Sequence, residues 1–395
     1  TPSVTVNGKE RKQITAFIVE KSMPGFEVGH RCDFMGLKGI QNGVIRFRNV
    51  KVSKANMLWG LGQGLKLALI TLNTGRLTLP AACVGAAKRC LRISREWSNE
   101  REQWGSIIGK HEAIAGKLAT MASTVFATDA MIWLVSALAD RHTDDIRLEA
   151  AMAKMFCSEA AWRIVDDTMQ IRGGRGYETF QSLKARGEKP QPVERIMREA
   201  RINLIIEGTS EIMRLFIARE ALDVHMRLVH KLLDPRRSLL AKVGAGLKAT
   251  VFYAVWLPGQ CLSLLGTRRY GAFQTLAPYV RFAERASHRL ALILFASAVK
   301  HQMALANRQL LLARMVEIGA DLFAMISACS KAKCLAEHNP NDPHPVELAD
   351  LFCRAARRCV RALFRNLRDN DDGQAYRLAQ QVLGGATPWL EDGIV

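Results

Sequence analysis

The spacing of apolar residues changes once along this chain, near residue 60. Before that point the pattern is extended. Gln13-Ile14-Thr15-Ala16-Phe17-Ile18-Val19 is rich in β-branched residues, and Gly43-Val44-Ile45-Arg46-Phe47-Arg48-Asn49-Val50 alternates apolar with polar side chains. Asn42-Gly43 marks a turn at the start of the second run. So few strands cannot cover the face and edges of a sheet, so residues 1–57 read as a β fragment whose partner strands lie outside the chain. From Gly62 to about Arg227 the apolar positions recur at helical spacing. The pattern predicts a short helix over Gly64–Leu72, a long one over Leu79–Asn99 and a third over His111–Ala139. A fourth runs from the acidic start Thr143-Asp144-Asp145 to Ile171. Long helices with short connections predict an antiparallel bundle. A corner follows at Ile205-Ile206-Glu207-Gly208-Thr209-Ser210. There Gly208 breaks one helix and Thr209 or Ser210 caps the next, whose apolar positions are Ile212, Leu215, Phe216 and Leu222. Helical patterning continues to the end. The fold class is mainly α with an N-terminal β fragment, divided into residues 1–57, 58–225 and 226–395.

Composition narrows this only in part. A chain of 395 residues with 49% hydrophobic content can bury sizeable cores, and a formal net charge of +19 attracts anions. Nucleic acid, an acidic membrane and coenzyme phosphates compete as partners. The nine cysteines contain no Cys-x-x-Cys pair, so they read as buried or free thiols of a reducing compartment; no metal site is expected. No cleavable leader stands at the start, and the first residue is Thr1, so the start reads as an interior point of a longer protein.

Three stretches carry candidate chemistry, each with a plainer reading beside it. Glu207 follows two β-branched residues; a poorly hydrated wall there disfavours the ionised carboxylate and poises it as a general base, whereas a capping or solvent-facing glutamate is the plainer alternative. Arg101-Glu102-Gln103-Trp104-Gly105 offers a guanidinium fork for phosphate and an aromatic face for a planar ring, or a solvated Arg beside a core Trp. Gln170-Ile171-Arg172-Gly173-Gly174-Arg175-Gly176-Tyr177 is a glycine cluster at a helix end, suited to a pyrophosphate or ribose, or simply a C-cap with its loop. Leu239–Leu265 is apolar, interrupted by Pro258-Gly259 and flanked by Lys231, Arg236, Arg237, Lys242, Lys248, Arg268 and Arg269. It suits a helix lying at an anionic membrane surface equally with a buried helix beside solvated cations. No nucleic-acid module appears, so no nucleic-acid partner is expected.

The glycine cluster, then Pro192-Val193-Glu194-Arg195-Ile196-Met197-Arg198-Glu199-Ala200-Arg201, then Glu207-Gly208-Thr209, in that order, resemble the C-terminal half of the acyl-CoA dehydrogenase family. The resemblance implies a four-helix-bundle domain over residues 58–225 and places residues 1–57 in the latter part of the middle β domain, with an N-terminal helical domain ahead of Thr1. It implies FAD as cofactor and α,β-desaturation of a long acyl-CoA with Glu207 as base. Arg76, within Asn73-Thr74-Gly75-Arg76, and Gly208 would line the substrate. Arg101, Gln103, Trp104, Gln170, Gly173, Gly174, Thr209 and Glu211 would hold the flavin dinucleotide, the Arg101 segment that of a neighbouring subunit. The implied partners are a second copy in a homodimer, an electron-transfer flavoprotein and an anionic membrane, in the cytoplasm or mitochondrial matrix. Two departures stand out. Glu112 follows His111 where the family commonly carries Gln, and Ser182–Pro190 is a longer, more charged link than usual, read as an exposed insertion. Residues 226–395 resemble the very-long-chain branch, most closely over Ala306–Arg314 and Gly319–Met325. The rival reading is a non-catalytic, membrane-associated scaffold of the same fold.

Overall fold

The computed structural model describes residues 3–6, 9–141, 145–233, 238–265 and 268–393. Thr143 and Asp144 of the expected acidic helix start, and Arg236 and Arg237 of the basic flank, lie outside the described residues; for Lys231 only the backbone is described. The chain divides into two compact units, Thr1–Met213 and Arg214–Val395.

In the first unit, the extended region forms two-stranded antiparallel pieces. β1 (Ser3–Val6) pairs with β2 (Lys9–Lys12), β3 (Ala16–Phe17) with β6 (Met57–Leu58), and β4 (Phe26–Arg31) with β5 (Gly43–Phe47). The strand expected over Gln13–Val19 is therefore only Ala16–Phe17. Ile14 and Ile18 flank it and are exposed, so no packed face prolongs the pairing. Val28, Val44, Ile45 and Phe47 are exposed too, and the pieces bury little of their apolar content. Two hydrogen bonds to backbone carbonyls tie the fragment to the helices: the Gly64 N–H donates to the Ile14 carbonyl at 2.8 Å, and the Arg198 guanidinium donates to the Met35 carbonyl at 2.9 Å.

The helices are α1 (Gly64–Glu100), α2 (Glu112–Asp140), α3 (Arg147–Arg172), the short α4 (Gly174–Tyr177) and α5 (Phe180–Ala185), and α6 (Val193–Arg201). Between α1 and α2 lies a tight hairpin of β7 (Glu102–Gln103) and β8 (Ser106–Ile107). The two helices expected over Gly64–Leu72 and Leu79–Asn99 are one. Pro80 sits inside α1 and removes the N–H that would meet the Arg76 carbonyl, yet the helix continues because its length packs along α3. Thr71 and Thr78 turn their hydroxyls onto α1 carbonyls, at 3.1 Å to Leu67 and 3.3 Å to Gly75, so neither residue stops the helix. The core joins Cys83, Ala87 and Cys90 of α1 to Met121 and Val125 of α2 and to Ala161, Ile164, Val165 and Ile171 of α3. Small residues on α1 and α3 let these helices approach closely.

The second unit is helical. α7 (Ser210–Leu233) begins just before the unit boundary, and α8 (Leu239–Leu265), α9 (Ala277–His301), α10 (Gln309–His338), α11 (His344–Asn366) and α12 (Asp372–Leu383) follow. α10 packs on α9 and α11 through Met315, Ile318, Leu322, Met325, Cys329, Phe352, Cys353 and Val360. Tyr279 donates to Asp350 at 2.6 Å across α9 and α11. Among the described residues the buried apolar positions of α7 are Met213, Ile217, Ala218 and Leu222, so its face is turned about one residue from the expected Ile212, Leu215, Phe216 and Leu222; Ile212 is exposed.

Candidate functional site

The corner after α6 is built residue by residue. A short 3₁₀ turn over Ile202–Leu204 lets the Ile205 and Ile206 N–H groups share the Ile202 carbonyl at 2.8 and 3.0 Å. The chain then enters two successive left-handed residues, Glu207 at φ +57° and Gly208 at φ +98°. Only glycine suits the second, because a Cβ there would also stand 2.7 Å from Met213 Sδ. A glutamate at positive φ costs about 1–2 kcal/mol and persists where the surroundings hold it. Thr209 Oγ1 accepts from the Ile212 N–H at 3.3 Å, so Thr209 caps α7, as its place in the sequence implies.

This backbone turns the Glu207 side chain onto α1. A methyl group added to Gly75 would lie 3.0 Å from Glu207 Cδ and Oε1 and 3.1 Å from Oε2, so the absence of a side chain at Gly75 is what admits the carboxylate. Oε2 is buried and, among the described residues, accepts no hydrogen bond. The dry environment does not come from the preceding isoleucines. Ile205 and Ile206 are 46% and 40% exposed and do not form the expected apolar wall; the carboxylate is instead seated against Gly75 of α1. Arg76, one residue beyond Gly75, is buried.

One participant escaped the sequence reading. Lys154 of α3 is 0% exposed, and its ammonium donates to the Gly208 carbonyl at 2.6 Å. Burial holds this lysine below its ordinary range and Arg76 pushes the same way, while Cys83, Glu207 and Glu159 pull it back up. Cys83, beside it on α1, is pushed up to about 11 by burial, with Lys154 opposing. The signal was present in Ala150-Ala151-Met152-Ala153-Lys154-Met155-Phe156, a single cation in an otherwise apolar helical run.

The expected cofactor residues divide between two places. Thr209 and Glu211 stand at the Glu207 corner. Arg101, Gln103, Trp104, Gln170, Gly173 and Gly174 stand at the far end of the bundle, since about 40 Å of α1 separates Gly75 from Arg101 at the helical rise. One chain does not bring Glu207 together with them. At that end Trp104 occupies a left-handed turn position, φ +49°, and is 92% exposed, its ring edge-on to His111. Gly173, at φ +59°, ends α3, which bears out the C-cap reading, and a Cβ on Gly173 or Gly174 would meet nothing within 4 Å. Trp97 ties the two helix ends together, with Arg172 and Arg175 at 4.7 and 5.6 Å from its ring. Glu112 is exposed in the first turn of α2, where a carboxylate suits the helix dipole. The insertion is mostly exposed but anchored, because Leu183 is fully buried and Glu188 pairs with Arg175 and Arg186.

Such a bundle, with a carboxylate bent over a helical glycine and an open aromatic and glycine face at its far end, matches known proteins over most of its length. Residues 62–222 match the model of the acyl-CoA dehydrogenase C-terminal domain, and residues 279–385 that of the ACAD9/ACADV C-terminal domain. The chain belongs to the acyl-CoA dehydrogenase family. It is 47% identical over 390 residues to probable acyl-CoA dehydrogenase FadE10 of Mycobacterium tuberculosis, covering 98% of this chain and 60% of that one. It is 33% identical over 378 residues to the mitochondrial very long-chain specific acyl-CoA dehydrogenase of Bos taurus, covering 94% and 55%. A crystal structure of an acyl-CoA dehydrogenase complexed with FAD from Bacillus anthracis superposes with a TM-score of 0.72 at 26% identity, covering 93% of this chain and 61% of that one. The chain thus spans 55–61% of the length of these relatives.

Proposed function

We propose that the chain forms the base-bearing part of a FAD-dependent acyl-CoA dehydrogenase that desaturates long acyl thioesters. The observation that carries this reading is the Glu207 carboxylate, bent through a left-handed corner onto Gly75 with one oxygen kept dry and without a donor. A carboxylate oxygen with no hydrogen bond to lose is ready to accept a proton, and here it would take one from the carbon next to the thioester carbonyl. The Glu207 backbone N–H, presented by the same turn, would hold the carbonyl oxygen as charge develops there. Arg76 and Gly208 border the place where the thioester would lie. Bound FAD would supply the acceptor for the hydride that leaves the β-carbon.

The residues present fit that cofactor. Thr209 and Glu211, beside Glu207, would meet the flavin at that corner; Arg101, Gln103, the open Trp104 face and the uncovered backbone of Gly173 and Gly174 would hold the dinucleotide reaching over from a second copy. Separation along α1 makes a homodimer a requirement of this reading. Electrons would leave to an electron-transfer flavoprotein, in the cytoplasm or in a mitochondrial matrix. The reading is tested by reconstituting the protein with FAD and following palmitoyl-CoA oxidation with a dye acceptor. Retained flavin with turnover supports it; a protein that takes up no flavin favours the scaffold.

A second observation concerns α8. Leu240, Val243, Leu247, Val251, Val255 and Leu262 form one stripe along this helix and are 58–86% exposed, with Lys248 and Arg269 exposed nearby. An exposed apolar stripe with cations beside it suits peripheral attachment to an anionic membrane, where the apolar side chains enter the headgroup region.

A further inference from the structure

A buried ammonium needs a reason. Met or Leu would fill the place of Lys154 in its apolar run, and an uncompensated buried charge is costly. The acceptor at 2.6 Å is not a carboxylate but the carbonyl of Gly208, the residue that closes the left-handed pair. Met213 Sδ fills the space that a Cβ on Gly208 would need. The corner is therefore gripped between α3 and the first turn of α7, and the strained Glu207 backbone is held with its carboxylate on Gly75. We propose that Lys154 is a positioning residue for Glu207. It acts through the Gly208 carbonyl by its hydrogen bond and on the carboxylate by its charge; the proposal rests on reading Glu207 as the base. The groups facing the ammonium are Arg76 and Cys83 from α1, Glu159 from its own helix and Glu207 from the corner. Arg76 and Glu207 thus both act electrostatically on the Lys154 ammonium, Arg76 against its charge and Glu207 in favour of it. Neither the dry Oε2 nor the left-handed φ would survive a corner free to relax.

Three variants separate the two actions: Lys154→Met removes both, Lys154→Gln retains an N–H donor without charge, and Lys154→Arg retains both. Hydrogen–deuterium exchange of the 395-residue chain, measured without flavin, reads the grip. In Lys154→Met the amides of residues 205–210 should exchange about tenfold faster or more while the middle of α3 is unchanged, and Lys154→Arg should restore protection. The charge is read from the pH profile of palmitoyl-CoA oxidation in the FAD-loaded protein. In Lys154→Gln the acid limb should move up by about one pH unit, and in Lys154→Arg it should stay in place. A folded Lys154→Met protein with wild-type exchange at 205–210, or an unmoved acid limb in Lys154→Gln, overturns the proposal. If Lys154→Met does not fold, exchange and pH profile in Lys154→Gln against Lys154→Arg decide it. A wild-type protein that turns over no acyl-CoA refutes the base reading, whereas the exchange arm still decides whether Lys154 holds the corner.

Discussion

At the scale of single residues, the site is an arrangement of absences as much as of groups. Gly75 has no side chain, so a carboxylate can rest against α1; Gly208 has none, so Met213 can close over the turn. Gly75→Ala should push the carboxylate off its seat. A displacement of that kind costs about a hundredfold in turnover when the reacting atoms must meet closely, while the overpacking itself destabilises by about 1–3 kcal/mol. Palmitoyl-CoA kinetics beside thermal unfolding would check this; wild-type turnover in Gly75→Ala would mean the base does not work from this seat. Glu207, Gly208 and Thr209 were legible in the sequence because turn chemistry is local, each residue acting on its immediate neighbours. Lys154 was not, because it lies 54 residues from the carbonyl it holds and nothing in its own segment states what it meets.

At the scale of elements, the helical period predicted α2 and α3 to within a few residues, whereas the break it placed in α1 does not exist. Pro80 and the threonines weaken a helix locally, and packing along α3 outweighs them, a tertiary effect invisible to propensity. The same limit shows in α7, where period alone left the face uncertain by about a third of a turn. In the second unit an aromatic cluster forms where α7, α8 and α9 meet. His225 is stacked on Tyr253 at 5.8 Å, hydrogen-bonded to its hydroxyl at 3.0 Å, and flanked by Trp256 and Phe295. Burial holds His225 below its ordinary value. In the unfolded chain the imidazole takes a proton from about pH 6.5 downwards, before the folded form does, so the unfolded state binds more protons and stability falls as pH drops below that value. Urea unfolding followed by tryptophan fluorescence at pH 7.5 and 5.5 should show a drop in wild type that is smaller in His225→Gln. An equal drop in both would assign the effect to other groups.

At the scale of the whole molecule, a net charge of +19 and the exposed stripe of α8 bear on where the protein works. The proposed membrane contact predicts sedimentation with anionic vesicles, less with zwitterionic ones and less as salt rises, and its loss in a Leu247→Glu, Val251→Glu double variant. Retention by zwitterionic vesicles alone, or by the double variant, would contradict it. The fold class was legible because periodicity and glycine placement report on elements, and the order of the motifs resembled one family. The division of the expected cofactor residues between two ends of a bundle was legible only for the Arg101 segment, and there only as an implication of that resemblance, since spacing along the chain does not reveal that a continuous helix holds two groups about 40 Å apart. The central claim is the proposal that Glu207 takes a proton from carbon. The most direct measurement is the exchange of the α-hydrogens of an acyl-CoA in ²H₂O, followed by NMR with the FAD-loaded protein and no electron acceptor. Wild type should exchange them and Glu207→Gln should lose at least about a hundredfold of that rate while keeping its flavin; equal exchange in the two proteins would show that another group is the base.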